Sequence, residues 1–140
     1  MMNDERGMMN ESGSRDLRSR TRAFALRIIR LYASLPKTVE AQVIGKQLLR
    51  SGTSVGAHYS EATRARSVAE FISKIEGGLQ ELEETLYWLQ LLIDSGIESE
   101  KRLHSICAEG NELIAVLVSS VRTAKKRSKN SSFIVHHSSL

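Results

Sequence analysis

Apolar residues recur every three or four positions through most of this chain, and that spacing predicts helices rather than strands. Leu17, Phe24, Ile28, Leu31 and Leu35 form one stripe. Pro36 ends it, so a first helix is predicted over about residues 15–35. A second, over about residues 38–65 with Thr38 as N-cap, carries Ala41, Ile44, Leu48, Val55, Tyr59 and Ala62. A third opens at Ser67, with Glu70 at capping-box spacing. Its Ile72, Ile75, Leu79, Leu82, Leu86, Leu89 and Ile93 keep an a/d heptad register until Gly96 stops the helix. A fourth, over about residues 99–124, places Leu103, Ile106, Leu113, Leu117 and Val121 on one face. Four amphipathic helices with short connections predict an all-α, up-down-up-down four-helix bundle over residues 15–125. Residues 1–14 read as a disordered segment and the Ser-rich residues 126–140 as a flexible basic tail. "MMNDERG" is nearly repeated as "MMNESG", so Met8 and Met9 are alternative starts to Met1.

One stretch interrupts the apolar pattern. "SGTSVGAHYSEATRA", residues 51–65, is small and polar. On a continuous helix Gln47, Ser51, Ser54, His58 and Glu61 fall at spacings of four and three, a polar stripe beside Leu48, Val55 and Tyr59. Gly52 and Gly56 each cost about 1 kcal/mol there relative to Ala. Close approach of another helix would offset that cost, with Gly77–Gly78 as the opposing flat surface. The stripe is then expected near the bundle interior, where polar groups must be paired. Arg50, Ser54, His58 and Glu61, with Glu83 as acceptor, are the expected structural network. The competing reading is a helix-turn-helix DNA-binding regulator with its turn at Ser51–Thr53. A di-metal site would need two Glu-x-x-His motifs, and His58-x-x-Glu61 is a single one in reverse order, so no metal is expected. Ser54, His58 and Glu61 do not converge as a hydrolase site either, because successive positions on one helix point roughly parallel. Neither an enzyme nor a cofactor is expected.

With 140 residues the chain makes one domain, long enough for a real core. Cys107, the single cysteine, cannot form an intramolecular disulfide. No apolar run approaches the ~20 residues of a membrane span, and the polar N-terminus is no signal peptide, so a cytoplasmic protein is expected. The net charge of +4 is unevenly spread. Residues 15–30 hold six arginines and one acid, 70–100 hold eight acids against Lys74, and 122–129 hold five bases and no acid. Two basic ends around an acidic middle suit nucleic acid, or basic and acidic helices facing each other. Arg18, Arg22, Arg27, Arg30, Lys125, Lys126 and Arg127 are the candidate phosphate contacts. No aromatic residues are interleaved with them, so reading of single-stranded bases is not expected. Tyr87, Trp88 and Leu91 share a face outside the heptad seam, a candidate oligomer interface.

The block from Gln47 to Leu89 resembles the four-helix-bundle proteins encoded in intervening sequences of bacterial 23S ribosomal RNA genes. The resemblance rests on Gln47-Leu48 with Arg50, Ser54-Val55-Gly56-Ala57, Ser60-Glu61-Ala62, Glu70-Phe71-Ile72 and Glu81-Leu82-Glu83-Glu84-Thr85. It extends over about residues 17–121, and the family usually has Asn where this chain has His58. The accessory proteins of diversity-generating retroelements look like distant relatives. They form pentameric barrels that bind a reverse transcriptase and nucleic acid. The resemblance therefore implies a homo-oligomeric, pentameric bundle without catalysis. Its implied partners are structured RNA or a reverse transcriptase, and a purely structural scaffold is the alternative.

Overall fold

The computed structural model describes residues 11–138 as four helices: α1 (Glu11–Ser34), α2 (Val39–Ala62), α3 (Val68–Asp94) and α4 (Glu100–Ser138). Among the described residues there is no strand, and no helix is long and apolar enough to cross a membrane. Each helix packs against its neighbour in sequence, and α1 closes the ring against α4; among the described residues no close backbone approach crosses the diagonal. Connections of four or five residues force neighbouring helices to run antiparallel. The chain is an up-down-up-down four-helix bundle.

The helix ends follow local chemistry. Thr38 accepts from the Ala41 N–H at 3.3 Å and Ser67 from the Glu70 N–H at 3.0 Å. Glu70 reaches back to the Arg66 N–H at 3.1 Å, one residue outside the cap. Gly96, at φ 78°, takes the left-handed conformation that ends α3. The disordered reading of residues 1–14 lies mostly outside the described residues, and α1 begins at Glu11. At the other end α4 stays helical to Ser138, through most of the expected tail, and between Ala124 and Asn130 no further residue is fully buried.

The core differs from the expected heptad in one respect. On α3 the fully buried row is Phe71, Ile75, Gly78, Leu82, Thr85, Leu89 and Leu92. Ile75, Leu82 and Leu89 belong to both registers, whereas Ile72, Leu79, Leu86 and Ile93 are only partly buried on the flank. The helix is rotated toward α2 because Gly78 and Thr85 are small enough to let α2 come close. The glycines of α2 serve a different neighbour from the one expected. A Cβ on Gly52 would lie 2.8 Å from Ile28 Cγ1, and one on Gly56 3.2 Å from the Thr21 hydroxyl, so both admit α1. Gly77–Gly78 do face α2, through His58 and Val55. Two glycine surfaces on two seams replace the single paired surface.

Candidate functional site

Helix α2 runs unbroken through the small polar stretch as far as Ala62, so Ser51–Thr53 form no turn and the helix-turn-helix reading falls. Helix continuity sends the stretch's polar side chains to the α2–α3 seam. At its centre Ser51 and Thr85, both fully buried, place their hydroxyls 2.9 Å apart, and Thr85 also donates to the Glu81 carbonyl at 2.7 Å. Toward solvent, Arg50 joins two acids of α3. Its Nη1 donates to Glu81 Oε1 at 3.2 Å, its Nη2 to Glu84 Oε2, and its Nε to Gln47 at 3.3 Å. Glu84 Oε2 also accepts from the Trp88 indole at 2.9 Å. His58 packs over Gly77, with Nε2 3.9 Å from Glu81 Oε2. Glu61 is exposed and pairs with Lys74 at 3.0 Å. Ser54 donates to the Arg50 carbonyl at 2.7 Å on its own helix.

The network of Arg50, Ser54, His58, Glu61 and Glu83 is thus corrected in its acceptor and its depth. Glu83 is exposed and takes no part. At 100° per residue it lies roughly 200° around α3 from Glu81, on the face away from α2. Glu81 and Glu84 hold Arg50 instead. Apart from Ser51–Thr85, the cluster rims the core rather than entering it.

Two hydrogen bonds set the electrostatics of this rim. The Trp88 indole first, and Arg50 second, hold the Glu84 carboxyl below its ordinary value of 4.5. The Glu84 carboxylate in turn pushes the Arg50 guanidinium up. A depressed carboxyl contributes stability that is complete above 4.5 and is lost as pH falls through the folded-state value. Trp88 is the only tryptophan, so its emission reports the event. Emission should hold steady down to pH 4.5 and change only below it, and Glu84→Gln should abolish that step. A step persisting in the Gln variant would assign it to another carboxylate.

The rim offers little reactive chemistry. No group of three His, Cys, Asp or Glu among the described residues could hold a metal ion. Burial pushes the Cys107 thiol up, away from the thiolate.

The candidate phosphate contacts do not form one surface. Arg18 reaches Thr63, the C-cap of α2, at 3.4 Å, and Arg22 is exposed near it. Arg27 turns to α4 and donates to Ser105 at 3.0 Å, with exposed Arg30 one turn on. Lys125 meets Glu76 at 3.4 Å, Lys126 is exposed and Arg127 is half-buried. Sequence reasoning passed over Arg20. It forks onto Glu109, at 3.0 and 3.2 Å, and reaches Glu112 at 3.2 Å, an ion pair that ties α1 to α4. Glu109 first raises its pKa. Two acids three apart on a helix were the signal that could have found it. Of the aromatic face, Tyr87 is 56% exposed and stands edge-on to Trp88, ring centres 5.0 Å apart, while Trp88 and Leu91 are half-buried.

The model of the 23S rRNA-intervening sequence protein family matches residues 15–119. The chain belongs to this family. Its match takes in α1 from Arg15 and stops on α4 before Lys125, so the basic end of α4 lies beyond it. A solved structure of the S23 ribosomal protein family, a Bacteroides thetaiotaomicron protein with unknown function, is 38% identical. The similarity covers 78% of this chain and 97% of that one, with a TM-score of 0.74. No curated protein matches. Both likenesses agree with the family resemblance read from Gln47 to Leu89.

Proposed function

We propose that this intervening-sequence family member is a non-enzymatic, homo-oligomeric bundle that binds structured RNA through one basic end. Topology is the observation that supports the reading. Antiparallel packing brings the start of α1, the α2–α3 connection and the basic part of α4 to the same end of the bundle. The Arg18–Thr63 and Lys125–Glu76 contacts mark that end. Basic stretches more than ninety residues apart in the chain meet there. Glu76 and Glu61 offset Lys125 and Lys74, but Arg18, Arg22, Arg64 and Lys126 have no carboxylate partner among the described residues. Such charges engage phosphates and position an RNA by its shape, without reading bases. Charge reversal tests the reading. Arg18→Glu combined with Lys126→Glu should weaken binding of a fluorescent structured RNA in anisotropy titrations. Unchanged affinity would place the contact elsewhere, and no binding by the wild-type chain would leave a scaffold without RNA.

The exposed Tyr87, with Trp88 and Leu91, is the proposed subunit interface. A large aromatic at 56% exposure beside a second ring is a hydrophobic patch that a neighbouring subunit would cover. By the family resemblance the assembly is a closed pentamer, and a ring requires this face to meet a different surface on the next subunit. Tyr87 is the cleaner probe, because Trp88 also packs against the core. Tyr87→Ala should reduce the mass seen by light scattering while circular dichroism stays helical. A wild-type monomer at high micromolar concentration would end the assembly reading.

A further inference from the structure

The α1–α4 seam is the loosest of the four, closed mainly by side chains rather than by close helix approach. Its two halves differ in charge. In one, Arg20 is neutralised by Glu109 and Glu112. In the other, Arg27, Arg30 and Arg102 surround a cleft of about 300 Å³ whose floor is Leu31, Leu103 and Ile106. Only one carboxylate is paired there, Glu98, held by Arg102 Nη1 at 2.6 Å. Three cations less one anion leave a charge of +2 around an apolar floor. Like charges gathered in a concavity repel one another, and an apolar wall strengthens that repulsion. The guanidinium groups are nevertheless placed. Arg27 donates to Ser105 across the seam at 3.0 Å, and Arg102 donates back to Ser34 of α1 at 2.7 Å. Arg30 and the remaining donors of Arg27 stay open, with no carboxylate partner among the described residues.

We infer that this cleft is a nucleotide-phosphate site, with Arg27, Arg30 and Arg102 on the phosphate and the base or ribose lying over Leu31, Leu103 and Ile106. A phosphate offers enough oxygens to occupy three guanidinium groups at once, which a single carboxylate cannot, so an acidic peptide fits less well. The volume lies at the small end of ligand sites and suits one nucleotide rather than a helix of RNA. Arg27 and Arg30 lie toward the end opposite the one argued above to bind RNA, and neither site requires the other. The phosphate could belong to a free mononucleotide or to the terminal nucleotide of an RNA.

The test uses the full chain and adenosine 5′-monophosphate, with adenosine and inorganic phosphate as partial probes. Isothermal titration should show the monophosphate binding, and adenosine much more weakly. In ¹⁵N spectra the amides of Leu31, Leu103 and Ile106 should shift. Arg27→Gln with Arg30→Gln should weaken the monophosphate at least tenfold. Arg18→Gln with Arg22→Gln, the same charge removed from the same helix, should leave it unchanged. A short RNA bearing a 5′-phosphate separates the sources. Preference over its 5′-hydroxyl counterpart, with competition by the monophosphate, assigns the cleft to RNA ends, and monophosphate binding without either assigns it to free nucleotide. No monophosphate binding at millimolar concentration, shifts that miss the three floor residues, or equal losses in both double variants would overturn the site. If the cleft variant fails to fold, the wild-type shifts and the exposed Arg30→Gln alone still decide. Loss of RNA binding with monophosphate binding intact would sink only the basic-end reading.

Discussion

Gly52→Leu should lower the unfolding free energy by about 3 kcal/mol, the upper part of the range for overpacking a core. The added Cβ alone would lie 2.8 Å from Ile28 Cγ1, 2.9 Å from Cγ2 and 3.2 Å from Cβ. Those are the branching atoms of a side chain that is fully buried, on α1, with one strongly preferred rotamer in a helix. Nothing there can swing aside, so α1 itself must move. Gly52→Ala places the same Cβ but recovers about 1 kcal/mol of helix propensity, which should leave a smaller loss. Leucine recovers nearly the same propensity, but its three further carbons have no space to enter. Ile28→Ala in the same chain should make room for them, so the double variant should be more stable than the sum of the single losses by about 1–2 kcal/mol. Urea denaturation of the four proteins measures the cycle. A loss under 1 kcal/mol for Gly52→Leu, or strict additivity, would mean that α1 does not press on Gly52.

The same glycine shows how far the sequence could be read. Its cost on a helix required a close neighbour, and that inference holds. Which neighbour was not legible, because glycine carries no pattern of its own. Gly52 and Gly56 face α1, and only the packed bundle reveals it. The four helices, the Thr38 and Ser67 caps and the Gly96 stop were legible, since each depends on residues within one turn. The core row of α3 was only partly legible, because a strict heptad put Ile72 and Ile93 in the seam in place of their buried neighbours Phe71 and Leu92. Ile75, Leu82 and Leu89 were found, but Gly78 and Thr85 are as deeply placed as leucines and read as polar or empty positions. The choice among Glu81, Glu83 and Glu84 needed the direction of α2, which no spacing within α3 supplies. The basic first helix looked like one surface because charge was summed along the chain. Helical geometry splits it, sending Arg18 to α2 and Arg20 and Arg27 to α4.

RNA affinity should fall roughly 50-fold between 50 and 200 mM salt. The magnitude follows from counterion release. About four cations are free at the basic end, and each phosphate they neutralise contributes roughly 0.7–0.9 to the slope of log K against log salt, giving a slope near 3. Four times the salt then costs about 4³ in affinity. Loss of two phosphate contacts in Arg18→Glu with Lys126→Glu should flatten the slope by about 1.5, which a loss of fold would not do. An unrelated RNA of similar secondary structure should bind with comparable affinity, because the proposed contacts are to backbone rather than bases. The measurement that bears most directly on the function is therefore an anisotropy titration of the wild-type chain against a structured RNA across this salt range. Binding with a slope near 3 that flattens in the double charge-reversal variant is the expected result. Absence of binding at 50 mM salt, or an affinity indifferent to salt, would contradict it and leave the bundle a scaffold for protein partners alone.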